Sequence, residues 1–161
     1  MGVERELLAD ELDPALIRRL HDPKHCERLI GYGKRKHAES VFCSVPFDAA
    51  RASNVIRAAM IGPDSAIWAS MDGNQVNGVM IGAVVPYYFL EGSYATDLVF
   101  FADRDGPALF RAFMQWAAAR VTRVQLGISS GMDESGRIGR FYESQGFRHI
   151  GGIYLKEVSR P

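Results

Sequence analysis

The spacing of apolar residues changes along this chain, and those changes constrain the fold more than any other feature. After Pro46, Asp48 can cap a helix in which Ala52, Val55, Ile56, Ala59 and Met60 recur at three- and four-residue intervals until Gly62-Pro63 stops it. From there the period shortens. Ser65–Met71 reads as a strand, Asp72-Gly73-Asn74 as a turn and Val76–Val85 as a second strand. Tyr94–Ala102 is a third, and its run Leu98, Val99, Phe100, Phe101 is apolar on both faces, as a central strand requires. Over 107–121 the helical period returns, with Leu109, Phe110, Phe113, Met114 and Ala117 on one face and Arg111, Gln115 and Arg120 elsewhere. Val124–Ser129 reads as a strand, about 135–145 as a helix closed by Gly146, and Phe147–Val158 as strand-rich. Upstream, residues 4–21 hold a short apolar stretch and a short helix with Asp13 as cap and Pro14 at its first position. A further helix covers about 24–39, weakened by Gly31 and Gly33. Helices, a meander, then strand–helix–strand–helix–strand predict a mixed α/β fold: a twisted, mostly antiparallel sheet with one parallel crossover, flanked by about four helices.

A chain of 161 residues suits one domain spanning 1–161, and no repeat or Pro/Gly/Ser-rich linker divides it. Lys+Arg and Asp+Glu number 19 each, so no basic field for nucleic acid is present, and Lys34-Arg35-Lys36 reads as a solvated helix face. Two cysteines, Cys26 and Cys43, are too few for a disulfide framework and fit free thiols in a reducing compartment. The charged start lacks a signal-peptide core, Glu6 stands where a myristoylation site needs Ser or Thr, and no apolar run is long enough to span a bilayer. The expected location is cytoplasmic, away from membranes.

Two patterns suggest chemistry that their context does not support. Gly127-Ile128-Ser129-Ser130-Gly131 matches a hydrolase nucleophile elbow, with Asp133 and His149 following in triad order, but too little chain remains for the strand–helix units that fold needs. His21, His25 and Cys26 look like zinc ligands, yet Pro23 interrupts the helix that would align them and no second pair follows. No metal is expected. Tyr87-Tyr88-Phe89 is an aromatic surface that hints at a homodimer or at packing on an exposed edge.

The most informative passage is Arg140-Phe141-Tyr142-Glu143-Ser144-Gln145-Gly146-Phe147. Phe141 and Phe147 can pack on a sheet, and Gly146 supplies the left-handed residue that ends a helix. The passage resembles the F-Y-E-x-x-G-F signature that ends the acyl-CoA site of GNAT-type N-acetyltransferases. The resemblance runs back through the order of elements to about residue 24, and its overall look is similar to short GNAT-like proteins encoded by bacteriophages. It implies acetyl-CoA as co-substrate and direct attack by the primary amine of a small-molecule or peptide acceptor, without a covalent enzyme intermediate. Tyr142 is then the general acid toward the departing thiolate, the other reading being an amphipathic core aromatic.

Asp97 aligns with the acidic residue that takes the amine's proton, or else forms a structural ion pair. It is expected to share a strand face with Val99 and Phe101, opposite Leu98 and Phe100. Backbone groups of Val99, Phe100 and Phe101 would pair with the pantetheine arm. The family's phosphate loop, R/Q-x-x-G-x-G/A, corresponds to Asp103-Arg104-Asp105-Gly106-Pro107-Ala108, in which Arg104, Gly106 and Ala108 are the usable remnants. Pro107 removes one donor and Asp105 adds negative charge. Ser135 stands where the family has a pantetheine-binding Asn, and capping of the last helix is its other use. His37 and Glu39 lie where the first two helices of the family meet over the acceptor. The rival reading is a non-catalytic protein of the same fold with a degenerate CoA loop.

Overall fold

The computed structural model describes residues 17–158. Five strands form one sheet in the order β1 (Ile17–Arg19), β2 (Ser65–Asp72), β3 (Gln75–Pro86), β4 (Ser93–Ala102) and β5 (Val124–Gln125). Neighbours are antiparallel except β4 and β5, which are parallel because helix α3 (Gly106–Ala118) carries the chain back between them. Helices α1 (Cys26–Glu39) and α2 (Ala49–Ile61) precede β2, and α4 (Arg137–Ser144) follows β5. This is the mixed α/β architecture expected from the sequence, with a mostly antiparallel sheet and, among the described residues, one parallel pair and four α-helices. Asp48 caps α2 as expected, its carboxylate accepting from the N–H of Arg51 at 3.0 Å.

The two-residue period of the strands sorts their side chains onto two cores. Ile67, Ala69 and Met71 of β2, with Val79 and Ile81 of β3, meet Leu29 and Tyr32 of α1 and Ile56 and Met60 of α2. The intervening Ala66, Trp68 and Met80 face the other way, onto Leu109, Phe113, Trp116 and Ala117 of α3. Trp68 meets Phe113 and Trp116 edge-on, with ring centroids 6.3 and 5.8 Å apart.

Gly82 admits the Phe113 ring of α3 to this close approach. A Cβ on Gly82 would lie 2.6 Å from two carbons of the Phe113 ring, and that ring is fully buried. Gly82→Ala is expected to cost about 1–3 kcal/mol through overpacking, read as a lower midpoint in denaturant melts. An unchanged midpoint would mean that α3 does not pack against β3 as described.

Four expectations are corrected. Ile17–Arg19 pairs with Trp68–Ser70 as a strand, so the chain is already extended before residue 21, while the capping pair Asp13-Pro14 lies outside the described residues. The strand foreseen over Val124–Ser129 keeps only Val124 and Gln125, because beyond them the segment leaves β4. The last helix starts at Arg137 instead of about 135. No strand forms within Phe147–Val158 among the described residues; Ile150, Ile153, Tyr154 and Leu155 are exposed. That segment has strand composition, but a strand also needs a paired neighbour to satisfy its backbone.

Candidate active site

The site is built where β4 and β5 part. Their parallel pairing consists of Ala95 with Val124 and Thr96 with Gln125, after which β4 continues to Ala102 with no partner on that side among the described residues. On its other side β4 stays paired with β3, through a bulge: Ile81 opposes Val99 and Gly82 opposes Asp97, which leaves Leu98 as the extra residue. The bulge overturns the expected alternation. Val99 and Phe101 pack on the α1/α2 core, whereas Asp97 shares the side of Gly82, the side of α3 and of Phe100. The inserted residue turns Asp97 toward the opening, where its carboxylate accepts from the N–H of Gly127 at 3.0 Å and bridges the parting strands. Burial pushes its pKa above the ordinary carboxylate value, and the Gly127 bond opposes this only in part. No ion pair of Asp97 is present among the described residues, so the salt-bridge reading finds no partner there.

Tyr142 is carried on α4. Its ring is 7% exposed, stacks on Phe110 of α3 at 6.2 Å and lies 5.7 Å from Phe147. Phe141 meets Phe110 edge-on at 5.1 Å, so three aromatic residues around Phe110 dock this short helix. Gly146, at φ +86°, ends it as the sequence suggests. The ring is therefore a core aromatic, but its hydroxyl has no hydrogen-bond partner among the described residues and is not sealed from solvent. Burial raises the phenol's pKa, and the carboxylates of Asp97 and Asp133 raise it further. The charge of Asp97, 45 residues away in sequence, thus reaches the Tyr142 phenol.

The loop 103–108 spends most of its own groups. Asp103 pairs with Lys36, a buried residue of α1 that also reaches Glu39 at 2.9 Å. Burial alone would depress the pKa of Lys36, but these two carboxylates hold it above the usual lysine value. Asp105, in the left-handed region at φ 61°, accepts a hydrogen bond from buried Ser70, and Arg104 lies 3.9 Å from Asp72. The N–H groups of Asp103 and Arg104 go to the carbonyl of Asn77, and those of Ala108 and Leu109 to the carbonyl of Asp105. Pro107 has no N–H, so the free backbone donors here are Asp105 and Gly106. Among the sequence-derived positions, Gly106 and the Arg104 guanidinium keep groups to offer a diphosphate; the N–H of Ala108 is committed.

Ser135 does not cap α4. The carboxylate of Asp133 accepts from Ile138 at 3.1 Å and Gly139 at 3.3 Å, while Ser135 contributes only its carbonyl, to Arg140 at 2.8 Å. Its side chain lines a shallow cavity of about 430 Å³ with Glu39, Met132 and Glu134, next to the contact between the N–H of Val41 and the carbonyl of Ser130. Ser129 and His149 are both exposed, and Asp133 is engaged at the helix. His21 turns to the carbonyl of Met60 and Cys26 to Ser53, so the three zinc-like residues do not converge. Among the described residues no group of three His, Cys, Asp or Glu side chains is placed to hold a metal ion.

Sequence reasoning missed the part that three residues play. Lys36 was expected on a solvated face with Lys34 and Arg35, but it is buried, because it follows Leu29 and Tyr32 at helical spacing on the inner stripe of α1. Ser70 was not singled out, and Gly127 drew notice only within the nucleophile-elbow match; neither carries a local signal for its contact, since each matters through a partner about 30 residues or more away.

No protein-family model and no curated protein match this sequence. Solved structures do match. One from Clostridium acetobutylicum, named as a predicted acetyltransferase and solved with acetyl-CoA, aligns at TM-score 0.66 and 13% identity over 88% of this chain and 94% of its own. An aminoglycoside acetyltransferase from an uncultured soil metagenomic sample aligns at 0.61 and 12%, over 89% and 97%. A transcriptional regulator from Bacillus halodurans aligns at 0.64 and 15%, over 88% and 98%. The fold is that of GNAT-type acetyltransferases, and at these identities the likeness concerns the fold.

Proposed function

We propose that this chain is an acyl-CoA-dependent N-acetyltransferase that moves an acetyl group from acetyl-CoA to a primary amine. The observation that carries the reading is the position of Asp97, which a bulge delivers to the point where β4 and β5 separate and whose charge reaches the Tyr142 phenol on the helix after β5. Acetyl-CoA supplies a thioester whose carbonyl carbon the amine attacks. The free edge of β4 over Val99, Phe100 and Phe101 offers backbone groups to the pantetheine arm. Arg104 with the Asp105 and Gly106 N–H groups offers a small cradle to the diphosphate, at the positive end of α3.

Asp97 takes the proton of the attacking amine, directly or through water, and its raised pKa suits that task. Tyr142, held protonated, donates to the sulfur as the carbon–sulfur bond breaks. The two steps reinforce each other. Once Asp97 is neutral, its contribution to the raised pKa of Tyr142 disappears, so the phenol becomes a stronger acid as the thiolate forms. Glu39 and Glu134, beside the Ser135 cavity, suit a cationic acceptor.

Calorimetric titration with acetyl-CoA, with ATP as the comparison ligand, tests the first step. Saturable one-to-one binding that ATP does not reproduce is expected. Absence of binding by the folded protein at millimolar acetyl-CoA would overturn the proposal. It would favour a non-catalytic role, for which the internally committed donors of loop 103–108 are the supporting observation.

A further inference from the structure

Among the described residues Lys36 is the only charged residue that is buried, at 8% exposure. It stands on the inner stripe of α1 with Leu29 and Tyr32, a place that an apolar side chain would fill. Taking an ammonium group out of water is costly, and an apolar residue of similar volume commonly leaves a fold as stable or more so. The charge therefore calls for a role other than stability. Its nitrogen lies 5.7 Å from the centre of the Tyr32 ring and pairs with two carboxylates, those of Glu39 on its own helix and of Asp103. Asp103 opens the loop that leads from β4 into α3.

That loop does not need the ion pair to keep its course. The N–H groups of Asp103 and Arg104 both donate to the carbonyl of Asn77, at 2.8 and 3.2 Å, and the Tyr32 hydroxyl donates to the same oxygen at 3.3 Å. Further along, buried Ser70 of β2 donates to Asp105. The loop is thus pinned to β3 and to β2 whether or not Asp103 is charged. What Lys36 adds is a positive charge beside a carboxylate that stands one residue before Arg104 and three before Gly106.

On the acetyl-CoA reading above, on which this rests, we infer that Lys36 is a positioning residue for the donor and acts through Asp103. It cancels the charge of a carboxylate that would otherwise repel the diphosphate from the Asp105 and Gly106 N–H groups. Glu39 keeps the ammonium group paired from the other side.

The two partners of the pair should therefore respond with opposite signs. Amide chemical-shift titrations of the full chain use acetyl-CoA and S-acetylpantetheine, which has the thioester arm and no phosphate. Lys36→Met keeps the length of the side chain and should weaken acetyl-CoA about tenfold, the effect of one uncancelled charge near the phosphates. Asp103→Asn removes the repelling charge and should tighten acetyl-CoA severalfold, while Lys36→Arg should match the parent. S-acetylpantetheine should bind all four proteins alike. An ion pair that only supports the fold would instead weaken acetyl-CoA when broken from either side. That result, no change in either variant, or a parallel change with S-acetylpantetheine overturns the inference and leaves the acetyl-CoA reading standing. Should Lys36→Met not fold, Asp103→Asn decides by tightening acetyl-CoA or failing to. A parent protein that binds neither ligand would overturn the acetyl-CoA reading and this inference with it.

Discussion

Tyr142→Phe is expected to lower kcat about a hundredfold while leaving the affinity for acetyl-CoA near that of the parent. The substitution removes one oxygen and keeps the ring that stacks on Phe110 and Phe147, so α4 stays docked. The hydroxyl that is lost has no partner among the described residues, so its removal breaks no internal hydrogen bond. What disappears is a proton donor that is almost wholly protonated at neutral pH, since burial and the charges of Asp97 and Asp133 hold the phenol above its ordinary value. Single-turnover rates and calorimetric affinities, measured on both proteins, separate the two effects. A variant with the parent's kcat would take Tyr142 out of the reaction and leave it a core aromatic. Equal loss of binding and rate would make it a cofactor contact.

Asp97→Asn is expected to lose activity and gain stability together. Replacing the base with an amide of the same shape removes proton transfer, worth about a hundredfold or more in kcat/KM. The stability change follows from the direction of the pKa shift. Burial raises the Asp97 pKa above its value of 3.8 in the unfolded chain, so the folded state holds this proton more tightly than the unfolded state does. Stability from that source is present below pH 3.8 and is lost as pH rises through the folded-state value. Asparagine does not titrate and can still accept from Gly127 through its carbonyl oxygen. The melting temperature of the variant should therefore pull ahead of the parent across that interval and keep a constant lead above it. A lead that shrinks with rising pH would show that the carboxylate is stabilised as an anion, contrary to its burial. For the parent, the acidic limb of kcat/KM should report a carboxyl group whose pKa is raised by burial.

Much of this architecture was legible in the sequence because the signals are local. The stripe Ile56, Ala59 and Met60 declared α2, and Asp48 declared its start, since a helix is written in residues three and four apart. Ser65–Met71 declared a strand, and the structure places Ile67, Ala69 and Met71 on one core and Ala66 and Trp68 on the other. The Phe141–Phe147 passage showed where α4 ends, because Gly146 adopts a backbone conformation that other residues resist. The stretch Phe147–Val158 marks the limit of such reading. Its composition suits a strand, yet composition does not supply a neighbour.

The residue types of the candidate site and the elements that carry them were thus determined by the sequence itself. Only the tertiary structure decided how they face one another. Whether Asp97 looks toward α1 or toward α3 depends on one extra residue, Leu98, in the register between β4 and β3, and a shift of one residue reverses a strand's faces. Whether Ala108 can offer its N–H to a phosphate depends on the left-handed turn at Asp105, which is tied to Ser70 on β2. Register and burial are properties of pairs of distant segments, and they settle only when the hydrophobic surfaces of those segments close on one another.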